Sequence, residues 1–317
     1  MDQPQQVLDL VARFRADARG CGWIDDRQRA GICVSGGADS LALLWLAQSA
    51  YADVFAATVD HGLRPESRDE AQLAGAICAS IGVPHQILTI GKPPTTGNLA
   101  AWAREARYLA LGDWAAANDI AGLMTAHHAD DQLETMLMRL NRGAGVAGLA
   151  GVRRQRAQIF RPLLGWRKTE LEAIVSAQGW VPVIDPSNNN LQYDRAKIRQ
   201  HLSAAAWLDP IAASKSAQAL AQAEDALKWA TDEYFSTYAA VETDVMTLGQ
   251  PEVPAEIKRR LVLRCLCSIN PDAAPRGDAV ERLLLALSEG QTVTLSGVKC
   301  SGGATWRFTR ARNRENI

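Results

Sequence analysis

Residues 30–50 read AGICVSGGADSLALLWLAQSA, and the fold turns on this stretch. Ala30–Val34 is a short apolar run of strand length. Ser35-Gly36-Gly37-Ala38-Asp39-Ser40 ends it with a loop signal, and Leu41–Ala50 reads as a helix. The order is therefore strand, glycine loop, helix.

The same alternation continues along the chain. VFAATV (54–59) is a second buried strand, followed by Asp60-His61-Gly62-Leu63 and a helix from about Glu66 to Ile81. HQILTI (85–90) is a third strand, GKPPTTG a loop, and Asn98 the cap of a helix running to about Asn118. IAGLMTA (120–126) is a fourth strand, and the helix after it opens near Asp130. Strands alternating with helices predict βαβ units, a doubly wound parallel sheet, and a site at the C-terminal strand ends. Residues 6–19 have helical periodicity. After Asn141 come the glycine-rich NRGAGVAGLAG, a strand-like IFRPLL and a helix from about Lys168 to Gln178. Asp185–Asn190 is a turn signal, and His201–Tyr238 reads as one or two helices. VTL (293–295) and ATWRF (304–308) are candidate strands. The expectation is an α/β domain over residues 1–200 and a smaller, mainly helical domain over 201–317.

At 317 residues the chain has room for about two domains. Its 47% hydrophobic and 22% charged content excludes a disordered chain, a coiled coil or a collagen-like fibre. With 34 basic and 35 acidic side chains it is not uniformly basic, so any nucleic-acid contact must be local. Residues 151–200 hold nine basic and four acidic side chains, which makes a polyanionic partner plausible there. The last seventeen residues carry four arginines and one glutamate. The N-terminus has early acids and no signal-peptide core, and no apolar run approaches a membrane span, so a cytoplasmic protein with no membrane partner is expected. The six cysteines are scattered, with no C-x-x-C, and read as buried small hydrophobes rather than as disulfides or metal ligands.

A loop between a buried strand and a helix presents backbone N–H groups and the positive end of the helix dipole to an anion. Gly36 and Gly37 allow close approach of phosphate, and Ser35 and Ser40 add hydroxyls. Asp39 does not favour phosphate by itself, but makes sense as a ligand of Mg2+ bridging phosphate oxygens. The loop lacks the lysine of a Walker A motif.

His127-His128-Ala129-Asp130-Asp131-Gln132-Leu133-Glu134-Thr135 lies at a strand-to-helix junction. Asp130 and Glu134 are spaced i, i+4, and Asp131 and Glu134 i, i+3. Three acids there suit a divalent ion or an ammonium group. Zinc is a weaker reading, because H-H-x-D-D is not H-E-x-x-H and hard oxygen ligands favour Mg2+. Arg104 and Arg107, spaced i, i+3, can share a face toward a phosphate or carboxylate.

Together SGGADS (35–40), VDHGLR (59–64), AREARY (103–108), HHADDQLETMLMRLNRGAGVAGLAG (127–151), RPLL (161–164), DPSN (185–188) and DRAKIR (194–199) resemble the PP-loop ATP pyrophosphatases. Within them the similarity is closest to the tRNA(Ile)-lysidine synthetase family. The resemblance spans nearly all of residues 30–200. It implies an adenine nucleotide alpha hydrolase-like fold and ATP and Mg2+ as cofactors. The implied activity is ligation of L-lysine to C2 of the wobble cytidine of tRNA(Ile) with a CAU anticodon, through an adenylated intermediate, releasing pyrophosphate and AMP. The alternatives are another PP-loop tRNA-modifying enzyme, such as a tRNA thiolase, and a nucleotide-amidating relative, but thiolation typically uses C-x-x-C cysteines that this chain lacks, and amidating relatives lack the H-H-x-D-D-Q run. On this reading Ser35, Gly36, Gly37, Ala38, Asp39, Ser40 and His61 bind ATP, and Asp39 and Asp131 hold the metal. Asp131 and Glu134 hold the lysine amino groups, with Asp130, His127 or His128 assisting. Arg104 or Arg107 pairs with the lysine carboxylate or the ATP phosphates. Arg153, Arg154, Arg156, Arg167, Lys168, Arg195, Lys197 and Arg199 are candidate tRNA phosphate contacts. The resemblance leaves room for a homodimer. Three departures stand out. Ala196 occupies a position where many members carry Asn, HLSAAAWLDP replaces the usual Leu-Pro, and the chain looks like a short form without the last domain of longer relatives.

Overall fold

A computed structural model describes residues 3–23, 27–62, 66–91, 94, 97, 99–183, 194–205, 207–242, 244–250, 252–275 and 277–311. The readings placed on Leu63, Arg64, Asn98, the Asp185–Asn190 turn and the basic tip beyond 311 lie outside the described residues. The chain divides into two compact units, Met1–Ala221 and Gln222–Ile317.

In the first unit, α1 (Gln3–Gly20) precedes β1 (Ala30–Cys33), α2 (Ala38–Ala50), β2 (Val54–Asp60), α3 (Ser67–Ser80) and β3 (His85–Thr89). Then come α4 (Leu99–Ala117), β4 (Gly122–Met124), α5 (Ala129–Leu140) and α6 (Val146–Leu149). β5 (Gln155–Arg156), β6 (Ile159–Phe160), a 3-10 turn (Pro162–Gly165), α7 (Lys168–Ala177) and α8 (Asp194–Ser203) follow, with the start of α9 (Pro210–Tyr238). The sheet order is β3-β2-β1-β4-β6-β5. Every pair is parallel except β5–β6. Helices cover both faces. Side chains from α1, α2, α3 and α7 share one core cluster, while Leu111, Trp114 and Ala115 of α4 form another with Ala57, Leu88 and Leu123. Central strands buried on both sides must be apolar throughout, which is why AGIC and VFAATV read as continuous runs.

The strand-like IFRPLL is a strand only at Ile159–Phe160. Pro162 has no N–H to give a ladder, and the chain turns into the 3-10 segment there.

In the second unit, β7 (Ala239–Glu242), β8 (Val245–Gly249), β9 (Thr292–Leu295), β10 (Val298–Ser301) and β11 (Thr305–Arg310) form an antiparallel sheet in the order β7-β8-β11-β10-β9. Along β11, Trp306 and Phe308 point inward, while Thr305 and Arg307 are exposed. The inward face packs on α10 (Ala255–Ile269) and α11 (Gly277–Ser288) through Leu261, Val262, Leu266, Leu283 and Leu287. Helices outweigh strands, but the two strands expected from the sequence are part of a five-stranded sheet. Among the described residues no helix is long and apolar enough to cross a membrane.

Candidate active site

β1 is flanked by β2 on one side and β4 on the other, so the direction of winding reverses between β1 and β4. In such sheets the crevice at the C-terminal ends of the two strands receives the ligand. Here it is framed by the Ser35–Ser40 loop after β1 and by His127–Glu134 after β4.

The loop is held open by its own side chains. Ser40 Oγ accepts from the Ser35 N–H at 3.1 Å and from Ser35 Oγ at 3.2 Å, and donates to the Gly37 carbonyl at 2.9 Å. Gly36 has φ +82°, and a Cβ there would meet Val183 Cγ2 at 2.9 Å. Only glycine fits that turn without strain. Gly37 caps α2 without a side-chain bond of its own, leaving the helix N-terminus to an incoming anion. Asp39 in the first turn of α2 has a buried Oδ1 with no hydrogen-bond partner. Buried polar atoms are almost always satisfied, so this oxygen is placed for something the protein alone does not supply.

His128 joins the loop to the acidic helix. Buried at 2% exposure, it caps α5. Its Nε2 lies 3.5 Å from both Asp39 Oδ2 and Asp131 Oδ2, and its Nδ1 lies 3.6 Å from Asp130 Oδ2. Burial alone would lower the ring's pKa. The hydrogen bonds to Asp130 and Asp39 and the charges of Asp131 and Asp39 outweigh it and raise the pKa to about 10. A proton on Nδ1 would compete with the cap, in which that nitrogen accepts the Asp131 N–H at 3.4 Å. His127 behaves oppositely. Burial takes it down to about 4, so it is neutral, with Nδ1 3.0 Å from Thr125 Oγ1.

The three acids are not equivalent. Asp130 Oδ2 accepts the Lys168 N–H at 2.8 Å and so ties α5 to the start of α7. Asp131 Oδ2 accepts the His128 N–H at 3.1 Å, while its Oδ1 takes Arg195 Nη2 at 2.6 Å. Glu134, with a side chain 4% exposed, takes Arg195 Nε at 2.7 Å, Arg199 Nε at 2.7 Å and Arg199 Nη2 at 3.2 Å. Arg195 and Arg199 of α8 are therefore directed at these acids rather than outward. Lys197 between them is exposed.

On the other side of the crevice, Arg107 Nη2 lies 2.7 Å from His61 Nε2, and Arg104 stacks on the Tyr108 ring at 5.1 Å. Neither arginine has a carboxylate ion-pair partner among the described residues. Arg161, to which no charge pattern in the sequence points, is 4% exposed. Its Nη1 donates to the Arg153 carbonyl at 2.9 Å, its N–H to the Arg154 carbonyl at 2.9 Å, and its Nε has no partner. Gln132 likewise carries no signal in the sequence. It clamps the glycine-rich segment, donating to the Val152 carbonyl at 3.0 Å and accepting its N–H at 2.7 Å. Gly151, at φ +65°, is required there because a Cβ would lie 2.5 Å from Gln132 Oε1. Arg167 sits 3.9 Å from Asp130 and 3.6 Å from Asp209, Lys168 pairs with Glu172 at 3.7 Å, and Arg156 is exposed on β5.

A doubly wound sheet with a glycine loop at its switch point is the architecture of a PP-loop ATP-using domain, and the sequence profile of the PP-loop domain family matches residues 6–206. Over 293 residues the chain is 43% identical to the tRNA(Ile)-lysidine synthase of Zymomonas mobilis, covering 90% of this chain and 89% of that protein. It is 40% identical to that of Novosphingobium aromaticivorans over 319 residues, covering 97% and 95%. The chain belongs to the PP-loop family and, within it, to the tRNA(Ile)-lysidine synthases. Among solved structures, the U34-tRNA thiolase NcsA from Methanococcus maripaludis shares the fold, with a TM-score of 0.55 at 16% identity over 68% of this chain and 78% of that one.

Proposed function

We propose that the protein is a ligase that joins the amino group of L-lysine to C2 of the wobble cytidine of tRNA(Ile) bearing a CAU anticodon. ATP first adenylates the C2 carbonyl oxygen, with loss of pyrophosphate. The lysine amine then attacks C2, the bond to the adenylated oxygen breaks, AMP leaves, and the amine loses its proton. The observation that carries this reading is the meeting of Asp39 with Asp130 and Asp131 around the His128 ring. It sets a phosphate loop directly beside acids suited to an ammonium group.

The N–H groups at Gly37 and Ala38, with the Ser35 and Ser40 hydroxyls, would receive the ATP phosphates and the charge that develops on pyrophosphate. His61 and Arg107 would take an anionic group from the other side. Mg2+ is commonly held by one or two carboxylates and completed by phosphates and water. Asp39, with its partnerless Oδ1, would hold it together with Asp131, and the ion would neutralise phosphate charge. Asp131 and Glu134 would orient the lysine ammonium. His128, when protonated, would offset the repulsion among Asp39, Asp130 and Asp131. Arg153, Arg154, Arg156, Arg167, Lys168 and Lys197 are the cations offered to tRNA phosphates.

The test supplies Mg-ATP, radiolabelled L-lysine and an unmodified transcript of this tRNA, and counts label in acid-precipitated RNA. ATP-dependent label is expected, with none when the wobble cytidine is changed to uridine. No label in either RNA overturns the proposal.

A further inference from the structure

Trp207, in the loop that joins α8 to α9, is the most exposed large apolar side chain among the described residues, at 82%. The backbone around it is tightly turned. The N–H groups of Ala204, Ala205 and Leu208 donate to the carbonyls of His201, Leu202 and Ala205 at 3.2, 3.0 and 3.0 Å. Asp209 then starts α9, its Oδ1 accepting the Ile211 N–H at 2.9 Å and its carbonyl the Ala213 N–H at 3.0 Å. An indole held in water on such a frame leaves a large apolar face uncovered. Its surroundings say what would cover it. Arg167 joins this loop to the crevice, with Nε 3.9 Å from Asp130 Oδ2 and Nη1 3.6 Å from Asp209 Oδ1. Trp207 is two residues from Asp209, at most about 7 Å of chain, so the ring stands at the rim of the crevice on the Asp130 side. Lys168 follows Arg167 at the start of α7, and Lys197 of α8 is exposed. An aromatic face beside cations is the combination that takes single-stranded nucleic acid, with bases on the ring and phosphates on the cations. Trp229 of α9, 67% exposed, is the contrast: Asp225, Asp232 and Glu233, at i−4, i+3 and i+4 from it, would repel phosphate. Trp207 also belongs to HLSAAAWLDP, the segment in which this chain departs from the family pattern.

We propose that Trp207 is a stacking platform for the tRNA base next to the reacting cytidine, the adenine of the CAU anticodon. This rests on the function proposed above and adds to it the contact that holds the anticodon loop open. A cytidine that enters the crevice leaves its stack, and its neighbour loses a stacking partner. The indole at the rim replaces that partner, while Arg167 and Lys197 face the adjoining phosphates. Trp207 touches no reacting atom, so its contribution is to binding rather than to the chemical steps.

The experiment replaces the adenine of the CAU anticodon with 2-aminopurine, whose fluorescence falls when it stacks, and titrates the transcript with the full chain. The native protein should quench the probe at saturation, and Trp207→Ala should leave it bright. Trp207→Ala should bind the transcript about tenfold more weakly, on the scale of one lost base–aromatic stack. The KM for tRNA in lysine incorporation should rise by the same factor, with kcat unchanged. Trp207→Phe keeps an aromatic face and should stay within about threefold of the native affinity, and Trp229→Ala should match the native chain. Equal affinity in Trp207→Ala and the native protein overturns the platform, as does equal probe fluorescence at saturation or a Trp207→Phe variant as weak as Trp207→Ala. A native chain that does not bind the CAU transcript overturns the proposed function along with the platform.

Discussion

The two units bury different kinds of side chain. The first encloses Asp60, His128, Gln132, Glu134 and Arg161, nearly all at or just beyond the C-terminal ends of β2, β4 and β6. The core of the second, built on Met246, Leu248, Leu261, Leu266, Leu283, Trp306 and Phe308, has no buried charge among its described residues, and Thr231 is its one buried polar side chain there. An isolated buried charge costs several kcal/mol unless paired. A core that carries so many is therefore organised around something other than stability. Asp60 shows the local remedy. It accepts from the Ser67 hydroxyl at 2.6 Å and the Gly62 N–H at 2.9 Å, which hold its carboxyl below the usual range. Asp39 Oδ1 and Arg161 Nε lack such a remedy and mark where a ligand would supply it.

The largest effect is expected where the apolar core is broken. Phe308→Ala should cost the second unit about 3–5 kcal/mol, because a fully buried ring leaves a cavity. The check is a lower denaturant midpoint for exposure of the Cys300 thiol, with nucleotide binding to the first unit unchanged. Loss of nucleotide binding would show that the two cores are not independent. Next comes Asp39→Ala. Its removal should lower tRNA-dependent pyrophosphate release by about 10²- to 10³-fold, the scale of losing one charge-stabilising group, while the melting temperature stays within a few degrees. Full turnover in this variant would remove Asp39 from the phosphate site. Gly36→Ala should be milder. Placing a Cβ at φ +82° costs about 1–2 kcal/mol and presses on Val183. Roughly tenfold weaker ATP binding is expected by titration, and unchanged binding would mean that the turn relaxes freely.

Much of the first unit could be read in advance because its chemistry is local. Buried parallel strands are unbroken apolar runs, and the loop and the acids occupy consecutive positions after β1 and β4. What escaped reading is long-range or short. Arg195 meets Glu134 across 61 residues and Arg199 across 65, so the pairing of DRAKIR with the acids of α5 is invisible until α8 is placed beside that helix. Arg161 sits inside RPLL, whose proline hides that the chain bends there and turns the guanidinium into the interior. β5 and β6 have two residues each, below any recognisable period. In the second unit β7, β8 and β10 have four or five residues, and their side chains take meaning only from strands far along the chain, as when Trp306 and Phe308 of β11 pair with Leu248 and Met246 of β8.

The smallest predicted effect sharpens the same contrast without disturbing either core. The sequence pattern makes the cysteines buried hydrophobes, and Cys265 and Cys300 fit that description in the second unit: both are buried, and burial pushes both thiols up to about 12. Cys267 departs from it. It lies two residues beyond Cys265 on α10, which on a helix turns it to the opposite side, and it is exposed. Because the thiolate is the reacting form, a thiol reagent at pH 8 should modify Cys267 quickly in the native protein and leave Cys265 and Cys300 untouched until the unit unfolds. Mass spectrometry of the labelled peptide distinguishes the two positions of the C-x-C, and no loss of lysine incorporation should accompany the modification. Labelling of Cys265 at the same rate as Cys267 would mean that the apolar core opens locally under native conditions, and the contrast between a stable second core and a functionally loaded first one would fail at that point.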